Sequence, residues 1–343
     1  MKYNHIYQGD VIDRLKDIPD QSVQCVVTSP PYWGLRDYGV DGQLGLEETL
    51  EEFVNNLVNV FREVRRVLKD DGTLWLNLGD SYASKGYFAH KIKLDTKKEA
   101  PSAWSSENRG FSVPKTTGSG VKPKDLVGMP WRVALALQAD GWYLRQDIIW
   151  HKPNPMPESI KDRCTKAHEY IFLLSKSPKY FYDADAIKTP LKDTSMARLM
   201  QDIENQKGSN RVPGKTNGPI KAAGGKGWKK NMAGSGLKIK GHKGYFDKNG
   251  DPICGTMVNR KSVWKINTKP YKEAHFATFP PKLPELCIKA GSSKGDVVLD
   301  PFFGSGTTGW VAQRLNRKWV GIELNPEYIK LAEKRFAQQD IFV

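Results

Sequence analysis

Apolar residues recur along this chain with two different periods, and their alternation sets the fold class. Residues 23–28 (VQCVVT) form a nearly continuous apolar run that predicts a buried strand, closed by Pro30-Pro31, which cannot extend a sheet ladder. Over residues 49–68 the apolar positions are Leu50, Phe53, Leu57, Val60, Phe61, Val64 and Leu68. They form one face of a helix that is expected to stop before a turn at Asp70-Asp71-Gly72. Residues 73–78 predict a second strand, 126–139 a helix, and 143–150 and 170–175 two further strands. Towards the C-terminus come a strand at 297–300, a helix at 306–315, a strand at 318–323 and a closing helix at 326–338. Strands alternating with helices predict an α/β fold on a doubly wound, mostly parallel sheet.

Two stretches break the pattern. Residues 84–124 lack periodicity and are rich in Ser, Gly, Lys and Pro, which predicts a long loop. Residues 188–272 hold 19 Lys/Arg against 5 Asp/Glu, so +14 of the net charge of +15 sits there. This segment interrupts the α/β pattern as an inserted module does. A solvated linker is the bland alternative, but Trp228, Tyr245, Phe246 and Trp264 favour a small folded module. The charge calls for an acidic partner, nucleic acid foremost. The four cysteines are scattered with no CxxC pair, so neither a zinc site nor a disulfide framework is expected, and no metal. No apolar run reaches the length of a membrane span and no signal core opens the chain, so a cytoplasmic location is the expectation.

Two turns carry candidate chemistry. In the first, residues 297–308 (VVLDPFFGSGTT) pass from strand through a glycine turn into a helix. Gly304 and Gly306 let a ligand approach the backbone closely, and the helix start offers free N–H groups. Glu323 ends the next strand, 19 residues after Gly304, a spacing suited to a carboxylate on ribose hydroxyls. Asp300, just before the turn, would repel a pyrophosphate but accept from an ammonium. Taken alone, this turn fits a structural loop or another nucleotide site equally well. The second turn is Thr28-Ser29-Pro30-Pro31-Tyr32-Trp33, at the end of the first strand. The prolines stiffen it, leaving Ser29 Oγ and the Pro30 carbonyl as acceptors for the two hydrogens of an exocyclic base amine. Tyr32 is placed to stack on a base that has left its duplex, which offsets ~1–3 kcal/mol of a flipping cost of a few kcal/mol. A bare Pro-Pro-Tyr is more often only a rigid turn.

Together the two turns resemble the catalytic and cofactor motifs of DNA amino-methyltransferases, in the order of the beta class: catalytic motif, basic segment, cofactor motif. The stretch 275–280 (HFATFP) resembles the segment that precedes the cofactor strand in that family. The resemblance implies the circularly permuted S-adenosylmethionine-dependent methyltransferase fold, with a catalytic half at 1–187, a basic target-recognition insert at 188–272 and a cofactor half at 273–343. It implies S-adenosyl-L-methionine as cofactor, bound by Asp10, Phe276, Thr278, Asp300, Phe302, Gly304, Ser305, Gly306, Thr307 and Glu323. Ser29, Pro30, Pro31 and Tyr32 are the implied catalytic residues, and Trp150, Lys152 and Asp80 the base pocket. Asp10 also suits a plain helix N-cap. For DNA contact the candidates are Arg36, Arg198, Arg211, Lys226, Lys229, Lys230, Lys238, Lys240, Arg260 and Lys261. The expected partners are duplex DNA and a restriction endonuclease acting on the same site, with the enzyme a monomer or homodimer. Ser at position 29 favours cytosine N4 over adenine N6, since the family's adenine enzymes mostly carry Asp there. Cytosine-C5 chemistry is set aside, because no Pro-Cys dipeptide occurs. An RNA or protein-amide methyltransferase and an inactive DNA binder stay open as remoter readings.

Overall fold

The structure, a computed structural model, describes residues 1–34, 39–83, 120–191, 257–268 and 279–337. Its strands are β1 (His5–Gln8), β2 (Val23–Thr28), β3 (Leu68–Leu78), β4 (Tyr143–His151), β5 (His168–Ser175), β6 (Thr189–Pro190), β7 (Met257–Val258), β8 (Val263–Lys265), β9 (Val297–Asp300) and β10 (Lys318–Glu323). The helices are α1 (Val11–Leu15), α2 (Leu50–Val67), α3 (Met129–Ala139), α4 (Lys282–Gly291), α5 (Thr307–Arg314) and α6 (Pro326–Ala337). Eight strands form one sheet in the order β1-β10-β9-β2-β3-β5-β4-β8. The first five run parallel, β5 is antiparallel to both neighbours, and β8 lies parallel to β4. The doubly wound, mostly parallel α/β sheet expected from the hydropathy pattern is the fold observed.

The winding explains where a ligand must bind. From β9 the chain steps outward through α5 to β10, whereas from β2 it steps the other way through α2 to β3. The winding therefore reverses between β9 and β2, and the crevice at such a reversal lies beyond the carboxyl ends of the strands. Both candidate turns follow those two strands. At the outer edge β1, from the N-terminal part of the chain, pairs in parallel with β10, from the C-terminal part. Helix α6, which follows β10, packs against both strands, the place a crossover helix takes in a βαβ unit.

Several elements form as their residues dictate. Every residue of β2 is buried, as a strand covered on both faces requires. Helix α2 begins at a Thr49/Glu52 capping box and buries Phe53, Leu57, Phe61 and Val64. The expected turn at Asp70-Asp71-Gly72 is instead part of β3, which starts at Leu68 and bulges, so that Val23 pairs with Leu68 but Cys25 with Thr73. Side chains stabilise this bulge: Ser177 Oγ donates to the Asp70 carbonyl at 2.7 Å and Gln24 Nε2 to Asp71 Oδ1 at 3.1 Å. Helix α3 begins three residues later than expected because Gly128, in the left-handed region (φ 71°), breaks the backbone before Met129. Residues 263–265, counted with the basic segment by charge, form β8 at the edge of the main sheet.

The chain divides into two compact units, residues 1–186 with 261–343, and residues 187–260. Of the second, the structure describes the short antiparallel pair β6–β7, with Thr189 opposite Val258, and Arg260, whose Nε donates to the Ile187 carbonyl at 2.9 Å. Among the described residues no helix is long and apolar enough to cross a membrane.

Candidate active site

The glycine turn after β9 is shaped by its small residues. Gly304 (φ 51°) and Gly306 (φ 77°) occupy the left-handed region, which an L side chain rarely adopts. Phe303 turns under the loop and stacks on Trp319 of β10 at 5.2 Å between centroids. Its ring fits only because Gly309 and Gly321 lack a Cβ, which would fall 2.6 and 2.4 Å from it. The turn is tied to the end of β10 by Glu323, whose Oε2 accepts from Gly304 N at 2.7 Å and whose Oε1 accepts from Asn325 N at 2.8 Å. Each carboxylate oxygen keeps a lone pair, so Glu323 can still take two hydroxyls. Burial raises the pKa of its carboxyl. Ser305 Oγ is buried with no hydrogen-bond partner among the described residues. Thr307 Oγ1 accepts from Arg335 Nη1 at 2.6 Å, which ties α6 to the start of α5.

Asp300 joins this turn to the one after β2. Only 2 % exposed, it accepts at Oδ1 from the Thr28 hydroxyl (2.6 Å) and from Phe302 N (3.1 Å), and at Oδ2 from the Thr308 hydroxyl (2.7 Å). Burial pushes its carboxyl up to about 7 against the opposing effect of these donors. Because Thr28 precedes Ser29, the carboxylate fixes the spacing of the two turns.

One cavity is lined by both turns. Ser29, Pro30, Pro31 and Tyr32 face it from one side, and Asp300, Phe302, Gly304, Ser305, Thr307 and Glu323 from the other. Asp10 lines it as well and is also the N-cap of α1, its Oδ1 accepting from Ile12 N and Asp13 N at 2.9 and 3.1 Å. A ribose-bearing ligand suits this wall: two acceptors remain at Glu323, a buried hydroxyl at Ser305 lacks a partner, and the glycine backbone permits close approach. Gly306 instead packs inward, where a Cβ would meet Ala332 and Phe303 at 3.0 and 3.1 Å.

Other anticipated residues fall elsewhere. Trp150 is buried within the sheet, its indole N–H donating to the Ile266 carbonyl at 2.9 Å, and does not line the cavity. Lys152 lies over the Trp150 ring (4.5 Å) and pairs with Glu169. Asp80 accepts at Oδ1 from Ser81 N and Met129 N, holding the loop ahead of α3 rather than lining the cavity. Lys261 is exposed. Phe276, Thr278, Arg36, Arg198, Arg211, Lys226, Lys229, Lys230, Lys238 and Lys240 lie outside the described residues. Among residues not anticipated, the cavity takes Val40, Gln43 and Leu44 from the loop ahead of α2, with Phe279, Asn325 and Tyr328. The Asn325-Pro326 pair, a cap signal beside Glu323, was the available clue for the last two. Residues 39–45 offered none.

Comparison with known proteins gives the site its context. Three type II methyltransferases are similar over almost the whole chain. M.Cfr9I of Citrobacter freundii is 44 % identical over 98 % of this chain and 88 % of its own length. M.XycI of Xanthomonas campestris pv. cyanopsidis is 46 % identical over the same shares. M.SmaI of Serratia marcescens is 45 % identical over 97 % and 91 %. Among solved structures, the cytosine-N4-specific PvuII DNA methyltransferase superposes with a TM-score of 0.59 at 21 % identity, covering 98 % of this chain and 87 % of that one. The Thermus thermophilus protein TTHA0409, complexed with S-adenosyl-L-methionine, gives 0.53 at 24 % identity over 97 % and 93 %. These two share the fold. The profile of the N6/N4 DNA methylase family matches residues 23–334, from the first buried strand to the last helix. With both family motifs lining one cavity at the reversal of the sheet, this chain belongs to that family of DNA amino-methyltransferases.

Proposed function

We propose that the protein transfers a methyl group from S-adenosyl-L-methionine to the exocyclic N4 of a cytosine flipped out of duplex DNA. The observation that carries this reading is the single cavity shared by the Ser29–Tyr32 turn and the glycine turn with Glu323. When bound, the cofactor supplies an activated methyl on a sulfonium. The protein's part is to hold and orient. Glu323 would take the ribose hydroxyls and Asp10 and the Gly304 backbone would hold the nucleoside, while Asp300 braces the cofactor turn against the catalytic turn. On the other side, Ser29 Oγ and the Pro30 carbonyl accept the two amine hydrogens. This counters delocalisation of the nitrogen lone pair and turns it toward the methyl, an effect of positioning. Tyr32 offers its face to the base.

Serine at position 29 favours cytosine, and the basic segment 188–272 supplies cations for phosphate and base-edge contacts. The similarity to type II methyltransferases supports a partner endonuclease that cleaves the same site. The reading is tested by mass spectrometry of nucleosides from DNA incubated with the protein and cofactor. N4-methylcytosine is expected. N6-methyladenine would keep the family but overturn the inference from Ser29, and no methylated nucleoside on DNAs of diverse sequence would reject the assignment.

A further inference from the structure

Three strands bring a polar cluster up behind Tyr32. β2 and β3 end at the same edge of the sheet, and β5, antiparallel to β3, begins there, with Tyr170 opposite Leu78 and Glu169 just before it. The Tyr32 hydroxyl donates to Glu169 Oε2 at 3.0 Å, and Asn77 Nδ2 of β3 donates to the same oxygen at 2.9 Å. Asn77 Nδ2 also donates to the Tyr170 carbonyl at 3.3 Å, which turns its amide nitrogen toward Glu169. The other carboxylate oxygen pairs with Lys152 Nζ. A second constraint acts on the ring itself: a Cβ at Gly79, just after β3, would lie 2.7 Å from Tyr32 Cε2 and 3.2 Å from Cζ. Tyr32 lines the cavity, whereas Gly79, Asn77, Lys152 and Glu169 do not.

A ring that only stacked would need no hydroxyl, and phenylalanine would serve. Here the hydroxyl is bound to a group that can only accept, a carboxylate paired with an ammonium. That carboxylate is itself fixed: its two oxygens receive Asn77 and Lys152, and the Glu169 and Lys152 side chains are 15 % and 21 % exposed. A largely desolvated ion pair has little freedom to rearrange, because either partner alone would be a buried charge. The tether at the hydroxyl and the close approach at Gly79 both meet the ring at the end away from its Cβ. Tyr32 is thus held in one orientation before any base arrives, so stacking costs it little further freedom. We infer that Glu169 is a positioning residue for base capture, holding Tyr32 as a preset plate on which a base extruded from the duplex stacks. This rests on the proposed stacking role of Tyr32 and adds the residue through which the ring is held.

The test uses the full-length protein with S-adenosyl-L-homocysteine in place of the cofactor, so that no transfer occurs during titration. Two duplexes are compared, one with the mapped target base and one abasic at that position. The abasic duplex offers nothing to stack, so the ratio of its Kd to that of the intact duplex reports contact with the extruded base. The cost of extrusion is common to all variants and cancels when their ratios are compared. In Tyr32→Phe the ring and the ion pair remain but the tether is gone, and the ratio should fall about 3- to 10-fold, the worth of holding one side chain in place. Glu169→Leu combined with Lys152→Met removes the tether without stranding a charge and should lower the ratio likewise. Glu169→Gln combined with Lys152→Met keeps an oxygen for Tyr32 and Asn77 and should restore the wild-type ratio. The single-turnover methylation rate with S-adenosyl-L-methionine should follow the ratio, and cofactor affinity should not change. A ratio unchanged in Tyr32→Phe overturns the inference, and so does an equal loss in the two paired variants. A merely structural contact would instead lower stability or shift both Kd values together. If the paired variants do not fold, Tyr32→Phe decides alone. Failure of the stacking reading looks different: Tyr32→Ala, which has no ring at all, would then also leave the ratio at its wild-type value.

Discussion

Asp300 shows how a single buried carboxyl can be both brace and titrating group. Its folded-state pKa, pushed from 3.8 up to about 7, means that the folded chain binds the proton more tightly than the unfolded one. The stability it contributes is therefore fully present below pH 3.8 and is lost as pH rises through about 7. In Asp300→Asn the amide oxygen still accepts from Thr28 and Phe302, and Thr308 has the Val27 carbonyl (3.3 Å) as an alternative acceptor. The variant should fold without this proton linkage. Melting temperatures of the two proteins, measured from about pH 4 to 8, should show the wild type losing ground relative to the Asp300→Asn variant as pH rises. A constant difference would reject the assignment. Glu323 acts on the ligand instead. Glu323→Ala should weaken cofactor binding roughly 10- to 100-fold, the worth of a hydrogen bond to a charged group at ~1.5–3 kcal/mol, as read by calorimetry. Unchanged affinity would remove it from the cofactor site.

At the scale of elements, the cofactor turn depends on an aromatic side chain seated between glycines. Phe303 stacks on Trp319 and Phe336, and Gly321 in mid-β10 leaves room for it. Gly321→Ala puts a methyl 2.4 Å from Phe303 Cδ2, so the ring must move and take the turn with it. The expected outcome is a loss of ~1–3 kcal/mol in denaturant unfolding, typical of an overpacked core, together with weaker cofactor binding. Stability loss with unchanged affinity would separate the stack from the turn. This dependence was only half visible in the sequence. The glycines at 304 and 306 stood out by their place after a strand, but the need for Gly321 arises from a ring 18 positions away, which no local pattern reveals. The same division holds for the strands and helices. Strands 23–28, 297–300 and 318–323 were legible to the residue, since a strand buried on both faces is a plain apolar run between turn formers. The bulge opening β3 was not, because Asp70-Asp71-Gly72 has turn composition and is held in the sheet by the distant side chains Ser177 and Gln24. Glu169 of β5 pairs with Lys152, the residue after β4, and its bond with Tyr32 exists only once these strands lie side by side.

For the whole molecule, charge and fold are separated along the chain. The sheet places its two turns at the reversal between β9 and β2, while residues 188–272 hold +14 of the net +15. If that charge serves phosphate contact, its signature is thermodynamic and does not require knowing which side chain touches which phosphate. Each neutralised phosphate releases condensed counterions, so the logarithm of the binding constant falls with the logarithm of salt concentration by about 0.9 per contact. Lys229 and Lys230 are adjacent cations in a stretch of glycine and lysine with no acidic residue near them. Replacing both with Gln should reduce the magnitude of the slope by roughly 1.8 if each meets a phosphate. Cofactor affinity should be unchanged, since the cavity is lined by Asp10, Ser305 and Glu323. Titrating labelled duplex at several salt concentrations measures the slope directly. A slope equal to that of wild type would assign these lysines to solubility rather than to DNA and shift the phosphate contacts to other cations of the segment. A lower affinity with an unchanged slope would point instead to uncharged contacts broken by the substitution. The slope therefore distinguishes charge that binds DNA from charge that merely keeps the protein in solution.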